Sequence, residues 1–204
     1  MARPQDALFD EPLVGPDLDV SVHRAAIAAA DADALFTALL AEVPWEQHDI
    51  VMFGRKSPVP RLEAWIGDPG LHYTYSGITQ HPKPWTPAVQ RVRDIAATVA
   101  GGSFNSVLVN RYRSGADGVA WHADDEPELG PEPLIASVSF GATRTFQFRR
   151  RDDPKERRSL ELHHGDIIVM RGPTQRAWLH QIPKTASVVG ERLNLTFRTI
   201  VPDR

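Results

Sequence analysis

Cysteine is missing altogether from the 204 residues of this chain. Disulfide staples, thiolate zinc sites and a thiol nucleophile are therefore excluded, and a reducing compartment fits. Long apolar runs are missing too. Nothing approaches the roughly 20 residues of a membrane-spanning helix, and the polar N-terminus has no signal-peptide core. The expectation is a cytoplasmic protein, nucleoid-associated if bacterial, with no membrane partner. A basic excess is also absent: 23 Lys and Arg face 26 Asp and Glu, a formal charge of −3. Any grip on phosphates must come from local patches. No internal repeat is visible, which excludes a solenoid. What remains is a chain with 42% hydrophobic residues, enough for one compact domain with a substantial core.

The stretch that organises the rest is Val119-Ala120-Trp121-His122-Ala123-Asp124-Asp125-Glu126. It spaces a histidine and a carboxylate two residues apart, and a strand puts such side chains on one face. A second imidazole is available at His180, in Arg176-Ala177-Trp178-Leu179-His180. Two imidazoles and a carboxylate with open positions are what a non-haem Fe(II) oxygenase needs. After His180 comes Arg192-Leu193-Asn194-Leu195-Thr196-Phe197-Arg198, alternating like a half-buried strand. Its even positions send two guanidinium groups to one side. Charge that close to a core strand calls for an anion, and a small dicarboxylate such as 2-oxoglutarate suits it.

The remainder reads as follows. Met1 to about Asp19, rich in Pro, Asp and Gly, is expected to be a flexible tail. One domain is expected over 20–204, divided into a recognition and helical support region at 20–104 and a catalytic core at 105–201. Val20 to Ile27 is a short leading strand. Leu35, Phe36, Leu39, Leu40 and Val43 recur at helical spacing, and Pro44 stops that helix. Thr86 caps and Pro87 opens a second helix, ended by Gly101-Gly102. From Phe104 the texture changes to eight short candidate strands with Gly-rich turns. They run over Ser106–Arg113, Gly118–His122, Leu134–Phe140, Thr143–Arg149, Ser159–Leu162, Asp166–Arg171, Arg176–Gln181 and Arg192–Ile200. The fold class expected is mainly β with flanking helices (α+β), a jelly roll or double-stranded β-helix whose larger sheet the helices support.

His122-x-Asp124, His180 and Arg192-x-Asn194-Leu195-Thr196-Phe197-Arg198, in this order, resemble the AlkB dioxygenases, which strip alkyl groups from nucleic-acid bases. The resemblance runs from about Trp45 to Val201. It includes Asn105 to Tyr112, Ile135 to Ala142 and Tyr73-Thr74-Tyr75-Ser76-Gly77, and it leans toward the duplex-DNA repair branch. It implies Fe(II) on His122, Asp124 and His180, with 2-oxoglutarate and O2 as cosubstrates. It implies that Asn110, Tyr112 and Arg192 hold 2-oxoglutarate, with Arg198 near its iron-chelating end, assisted by Thr196. It further implies that Phe53, in Met52-Phe53-Gly54, wedges into the base stack, and that Tyr73 and Tyr75 border the flipped base. One of Asp125 and Glu126 would read a cationic lesion of the 1-methyladenine or 3-methylcytosine type.

The dense basic cluster, Arg149-Arg150-Arg151-Asp152-Asp153-Pro154-Lys155-Glu156-Arg157-Arg158, reads as a solvated hairpin tip. In duplex-acting relatives this region touches the complementary strand. Here its loop is shorter, and a single Lys184 stands where they carry a basic run. The expected function is oxidative dealkylation of single- or double-stranded DNA by a monomeric enzyme, with release of formaldehyde, succinate and CO2. The same chemistry on RNA or protein, and a non-catalytic nucleic-acid binder, stay open as alternatives.

Overall fold

In this computed structural model the described residues are 11–52, 55–71, 73–75 and 78–201, with the backbone alone at 11, 12, 14, 50–52, 55, 73–75 and 78–80. Alternation decides how the central strands lie. β8 (Ser106–Tyr112), β10 (Ile135–Gly141) and β15 (Arg192–Arg198) are neighbours, with β15 in the middle and antiparallel to both. Val107, Val109, Ala136, Val138, Phe140, Leu193, Leu195 and Phe197 turn one way, into a core shared with the helices. The residues between them turn the other way.

Around this trio the sheet is completed by β13 (Ile167–Arg171) and β2 (Leu18–His23) on one side and β5 (Leu62–Gly67) on the other. β1 (Glu11–Gly15) adds an edge strand beyond β2. Among the described residues the order is β1-β2-β13-β10-β15-β8-β5. A second, four-stranded sheet runs β12 (Arg157–Leu162), β11 (Arg144–Arg150), β14 (Trp178–Ile182), β9 (Val119–His122). Two sheets facing each other make the expected jelly roll. Between them lies a second apolar core holding Val20, Ile135, Phe146, Phe148, Met170 and Trp178.

Helices α1 (Ala29–Glu42) and α2 (Pro87–Ala100) cover the outer face of the larger sheet, burying Leu35, Leu39, Val89 and Val92 there. Burial of a full apolar side chain contributes about 1.5–3 kcal/mol. Thr86 caps α2 by accepting from Val89 N at 3.4 Å, and Gly101 closes it at φ 68°. Both end signals behave as expected from sequence.

Three expectations need correction. The stretch to Asp19 is no tail from Glu11 onward, because β1 pairs along its length with β2. Its turn is held from outside: Pro16 O accepts from Trp178 Nε1 and Arg150 Nη1, both at 3.0 Å. The segment 20–104 does more than support the core, since β2 and β5 are members of the larger sheet. Finally, the strand expected from Arg176 begins only at Trp178. Before it stands a short helix, α3 (Thr174–Ala177), entered through Gly172 at φ 51°. Two small hairpins, β3 (Asp49–Met52) with β4 (Arg55–Pro58) and β6 (Tyr73–Tyr75) with β7 (Ile78–Gln80), complete the described elements before α2.

Candidate active site

The space between the sheets opens into a cavity of about 520 Å³. Its walls are the inward residues that the core on the helix side leaves over. Asn110 and Tyr112 come from β8, Ser137 from β10, and Asn194, Thr196 and Arg198 from β15. His122, Asp124 and His180 line the same cavity from the smaller sheet.

His122 and His180 are register partners on β9 and β14, and Asp124 follows two residues after His122. One ligand-type atom from each of the three lies within 4.8 Å of the others. The His122 ring hydrogen-bonds Ala120 O through Nδ1 at 2.8 Å. A carbonyl only accepts, so Nδ1 donates to it and Nε2 is the ring nitrogen left outside that bond. His180 stacks on Phe146 with centroids 5.4 Å apart. Burial, reinforced by His122, pushes its imidazole down to about 3, so it is neutral at physiological pH. Burial alone would raise the Asp124 carboxyl. The Arg198 guanidinium and the two histidines outweigh it and hold Asp124 at about 2.

The two Asp124 oxygens differ. Oδ1 accepts from Arg198 Nη2 at 2.6 Å, whereas Oδ2 is buried and has no hydrogen-bond partner among the described residues. A buried carboxylate oxygen without a donor is costly, and a metal ion is a fitting partner for it. The backbone of Asp124 is fixed as well. Its N–H donates at 3.0 Å to Oε1 of Gln175, a buried α3 side chain.

Arg192 is fully buried against Tyr112, its guanidinium carbon 5.3 Å from the ring centroid. One nitrogen, Nη2, donates to Ser139 Oγ at 2.9 Å, while Nε and Nη1 have no partner among the described residues. Burial lowers this guanidinium to about 10, which still leaves it charged. Arg198 Nε is likewise buried without a partner. Idle guanidinium donors at both ends of the β15 face are a cradle for an anion with two acidic ends, so the residues present fit both iron and 2-oxoglutarate.

The structure separates Asp125 from Glu126. Asp125 points away from the cavity and pairs with Arg151 Nη2 at 2.5 Å. Glu126 lines the cavity, with Oε2 buried and unpartnered, and burial followed by the nearby Asp124 raises its carboxyl. Phe53 lies outside the described residues, as do the side chains of Tyr73 and Tyr75, whose backbone forms β6. Three arginines of the basic cluster are paired with carboxylates, some inside it and some outside. Arg150 pairs with Asp152 and Asp17, Arg151 with Asp125, and Arg158 with Glu156. Sequence reasoning missed Arg61 and Gln175. Each is a single polar residue outside any period, with no motif to mark it.

The profile of the 2OG-Fe(II) oxygenase superfamily matches residues 19–198. The DNA oxidative demethylase ALKBH2 of Mus musculus is 45% identical over 185 residues, covering 86% of this chain and 77% of that protein. The alpha-ketoglutarate-dependent dioxygenase alkB homolog 3 of Homo sapiens is 41% identical over 193 residues, covering 90% and 67%. Its Bos taurus counterpart is 43% identical over 182 residues, covering 85% and 63%. The chain thus spans from 63% to 77% of these three relatives. In fold it is similar to the solved structure of OsALKBH1, with a TM-score of 0.61 at 18% identity over 88% of this chain and 96% of that one.

Proposed function

Because this chain belongs to the 2OG-Fe(II) oxygenase superfamily, and within it to the AlkB family, we propose that it repairs DNA by oxidative removal of alkyl groups from bases. The substrates are N-alkylated bases of the 1-methyladenine and 3-methylcytosine type, and the products are the restored base, formaldehyde, succinate and CO2. The observation that carries this reading is the pairing, in one cavity, of a His-Asp-His cluster and an anion cradle. The cluster has an idle Asp124 Oδ2, and the cradle has an idle Arg198 Nε, with Arg192 buried against the cavity-lining Tyr112. When bound, iron and 2-oxoglutarate supply, with O2, the oxidation of the N-alkyl carbon.

The protein's own residues do the rest. His122 offers Nε2 because Ala120 O occupies its other nitrogen, and His180 offers a neutral ring. Asp124 offers Oδ2 because Arg198 occupies Oδ1. This division fixes the orientation of the carboxylate and leaves one oxygen for the metal that the site would hold. Arg192, beside Tyr112 and Asn110, would hold the distal carboxylate of 2-oxoglutarate, and Arg198 with Thr196 would hold its other end. Glu126, on the cavity wall, faces a cationic damaged base more favourably than a neutral one. A single chain supplies every one of these groups, which supports action as a monomer.

The test is formaldehyde release from oligonucleotides carrying 3-methylcytosine, in DNA and in RNA, single- and double-stranded. Release that requires both Fe(II) and 2-oxoglutarate and favours DNA is the expected result. Consumption of 2-oxoglutarate without any release from nucleic acid would assign the chemistry to another substrate.

A further inference from the structure

Arg61 follows Val59 and Pro60 in the link between β4 and β5, and its side chain lines the cavity. Its Nε donates to Asn110 Oδ1 at 2.7 Å, and its Nη2 lies 2.9 Å from a Glu63 carboxylate oxygen. Glu63 on β5 is the register partner of Asn110 on β8, so the guanidinium lies across one rung of the sheet. The link just before Arg61 is tied on two sides. Val59 N donates to His48 O at 2.9 Å, and Pro60 O accepts from Gly118 N at 3.0 Å, one residue before the β9 ligand strand.

A guanidinium has donors only, so the Asn110 atom that meets it must be the carbonyl oxygen. The amide is thereby locked, and Nδ2 with its two N–H groups is left for the cavity that Asn110 lines. Glu63 balances the Arg61 charge locally. What Arg61 adds at this point is therefore direction more than charge.

We propose that Arg61 is a positioning residue for 2-oxoglutarate, acting through Asn110. It holds the amide so that an N–H, and never the carbonyl oxygen, meets an oxygen of the cosubstrate. This rests on the reading above, in which Asn110, Tyr112 and Arg192 surround 2-oxoglutarate. Without Arg61 the amide is free to flip, and an oxygen turned toward an anionic ligand repels it.

The experiment is calorimetric titration of the Mn(II)-loaded protein with 2-oxoglutarate. The variants are Arg61→Ala, Asn110→Ala, the double variant and Arg192→Ala. Arg61→Ala/Glu63→Gln is added because it leaves no half-buried, unpaired carboxylate behind. Expected are losses in affinity of about ten-fold for Arg61→Ala and for Asn110→Ala. The double variant should be no weaker than Asn110→Ala alone, since Arg61 has nothing left to orient. Mn(II) affinity should stay within about two-fold throughout, where a general loosening of the fold would lower it. If Arg192→Ala and Asn110→Ala both bind 2-oxoglutarate like the wild type, the cosubstrate seat is misassigned and the proposal falls with it. If those two weaken while both Arg61 variants do not, or if the Arg61 and Asn110 losses multiply, Arg61 is no positioning residue although the seat stands.

Discussion

His122 and His180 stand directly opposite each other on adjacent antiparallel strands, with ring centroids 4.2 Å apart. Two imidazoles this close cannot both be charged without severe repulsion. A dication held by the two rings and Asp124 Oδ2 would resolve the crowding. Replacing any one of the three by alanine is expected to abolish succinate formation. A site with two protein ligands holds iron poorly and in the wrong geometry. Far-UV circular dichroism should remain that of the wild type. Normal succinate production by His122→Ala, Asp124→Ala or His180→Ala would refute the metal assignment.

Arg192→Ala should weaken 2-oxoglutarate binding by about one to two decades, the equivalent of a charge-assisted hydrogen bond worth about 1.5–3 kcal/mol. Because Arg192 is wholly buried, bulk salt should screen its contact little. A titration of turnover against 2-oxoglutarate at two ionic strengths checks both statements. An unchanged midpoint would move the cosubstrate elsewhere.

The idle donors of Arg192 and Arg198 and the idle Asp124 Oδ2 are a cost in the unliganded fold, and ligands that satisfy them should stabilise it. At about 100 times its dissociation constant, a ligand specific for the native state adds about 2.7 kcal/mol. For a chain of this size that is a rise of about 5–10 °C in Tm. Thermal unfolding with Mn(II) and 2-oxoglutarate should show such a rise in the wild type and little of it in Arg192→Ala.

Glu126→Gln should reduce the preference for cationic over neutral lesions by about five- to ten-fold, the difference between a charge-assisted and a neutral hydrogen bond. Repair rates on 3-methylcytosine and on neutral 3-methylthymine, compared as a ratio, isolate this effect. Asp125→Asn, whose carboxylate is turned outward to Arg151, should leave the ratio unchanged. An equal fall in both rates for Glu126→Gln would assign that residue to packing.

If Phe53 fills the gap left by a flipped base, Phe53→Ala should depress repair of duplex substrates far more than of single strands. Only a duplex has a pair to break and a stack to refill. Duplex binding itself should be weak and steeply salt-dependent. The net charge is −3, and the hairpin arginines Arg150, Arg151 and Arg158 are engaged with carboxylates. Matched single- and double-stranded methylated oligonucleotides decide this, and equal losses on both would return Phe53 to a packing role.

Much of the site was legible in the chain because strand periodicity places chemistry directly. Alternation along Arg192 to Arg198 predicts which residues face the cavity, and His122-x-Asp124 needs no tertiary knowledge to suggest a ligand pair. Gln175 and Arg61 were illegible for the opposite reason. Each acts from a short irregular segment on a partner far along the chain, Asp124 and Asn110 respectively. The β1 strand escaped because its Pro and Gly content resembles that of a tail. Its order comes from backbone pairing with β2 and from Trp178 and Arg150 gripping Pro16 O, none of which composition encodes. Asp125 and Glu126 looked equivalent as sequence, and only the course of the chain after β9 turns one outward and the other inward.

β15 carries the catalytic face and the structural face on alternate residues of one strand. Leu193, Leu195 and Phe197 belong to the helix-side core, and Arg192, Asn194, Thr196 and Arg198 to the opposite face, the last three lining the cavity. A slip of one residue would drive two guanidiniums into that core and turn three large apolar side chains onto the site. Such a molecule could not fold, so a folded but misregistered and inactive species has no place to exist. Loss of register in this strand therefore costs fold and activity together. The strand can drift in evolution only by substitution at fixed positions, since an insertion or deletion inside it would destroy fold and chemistry together.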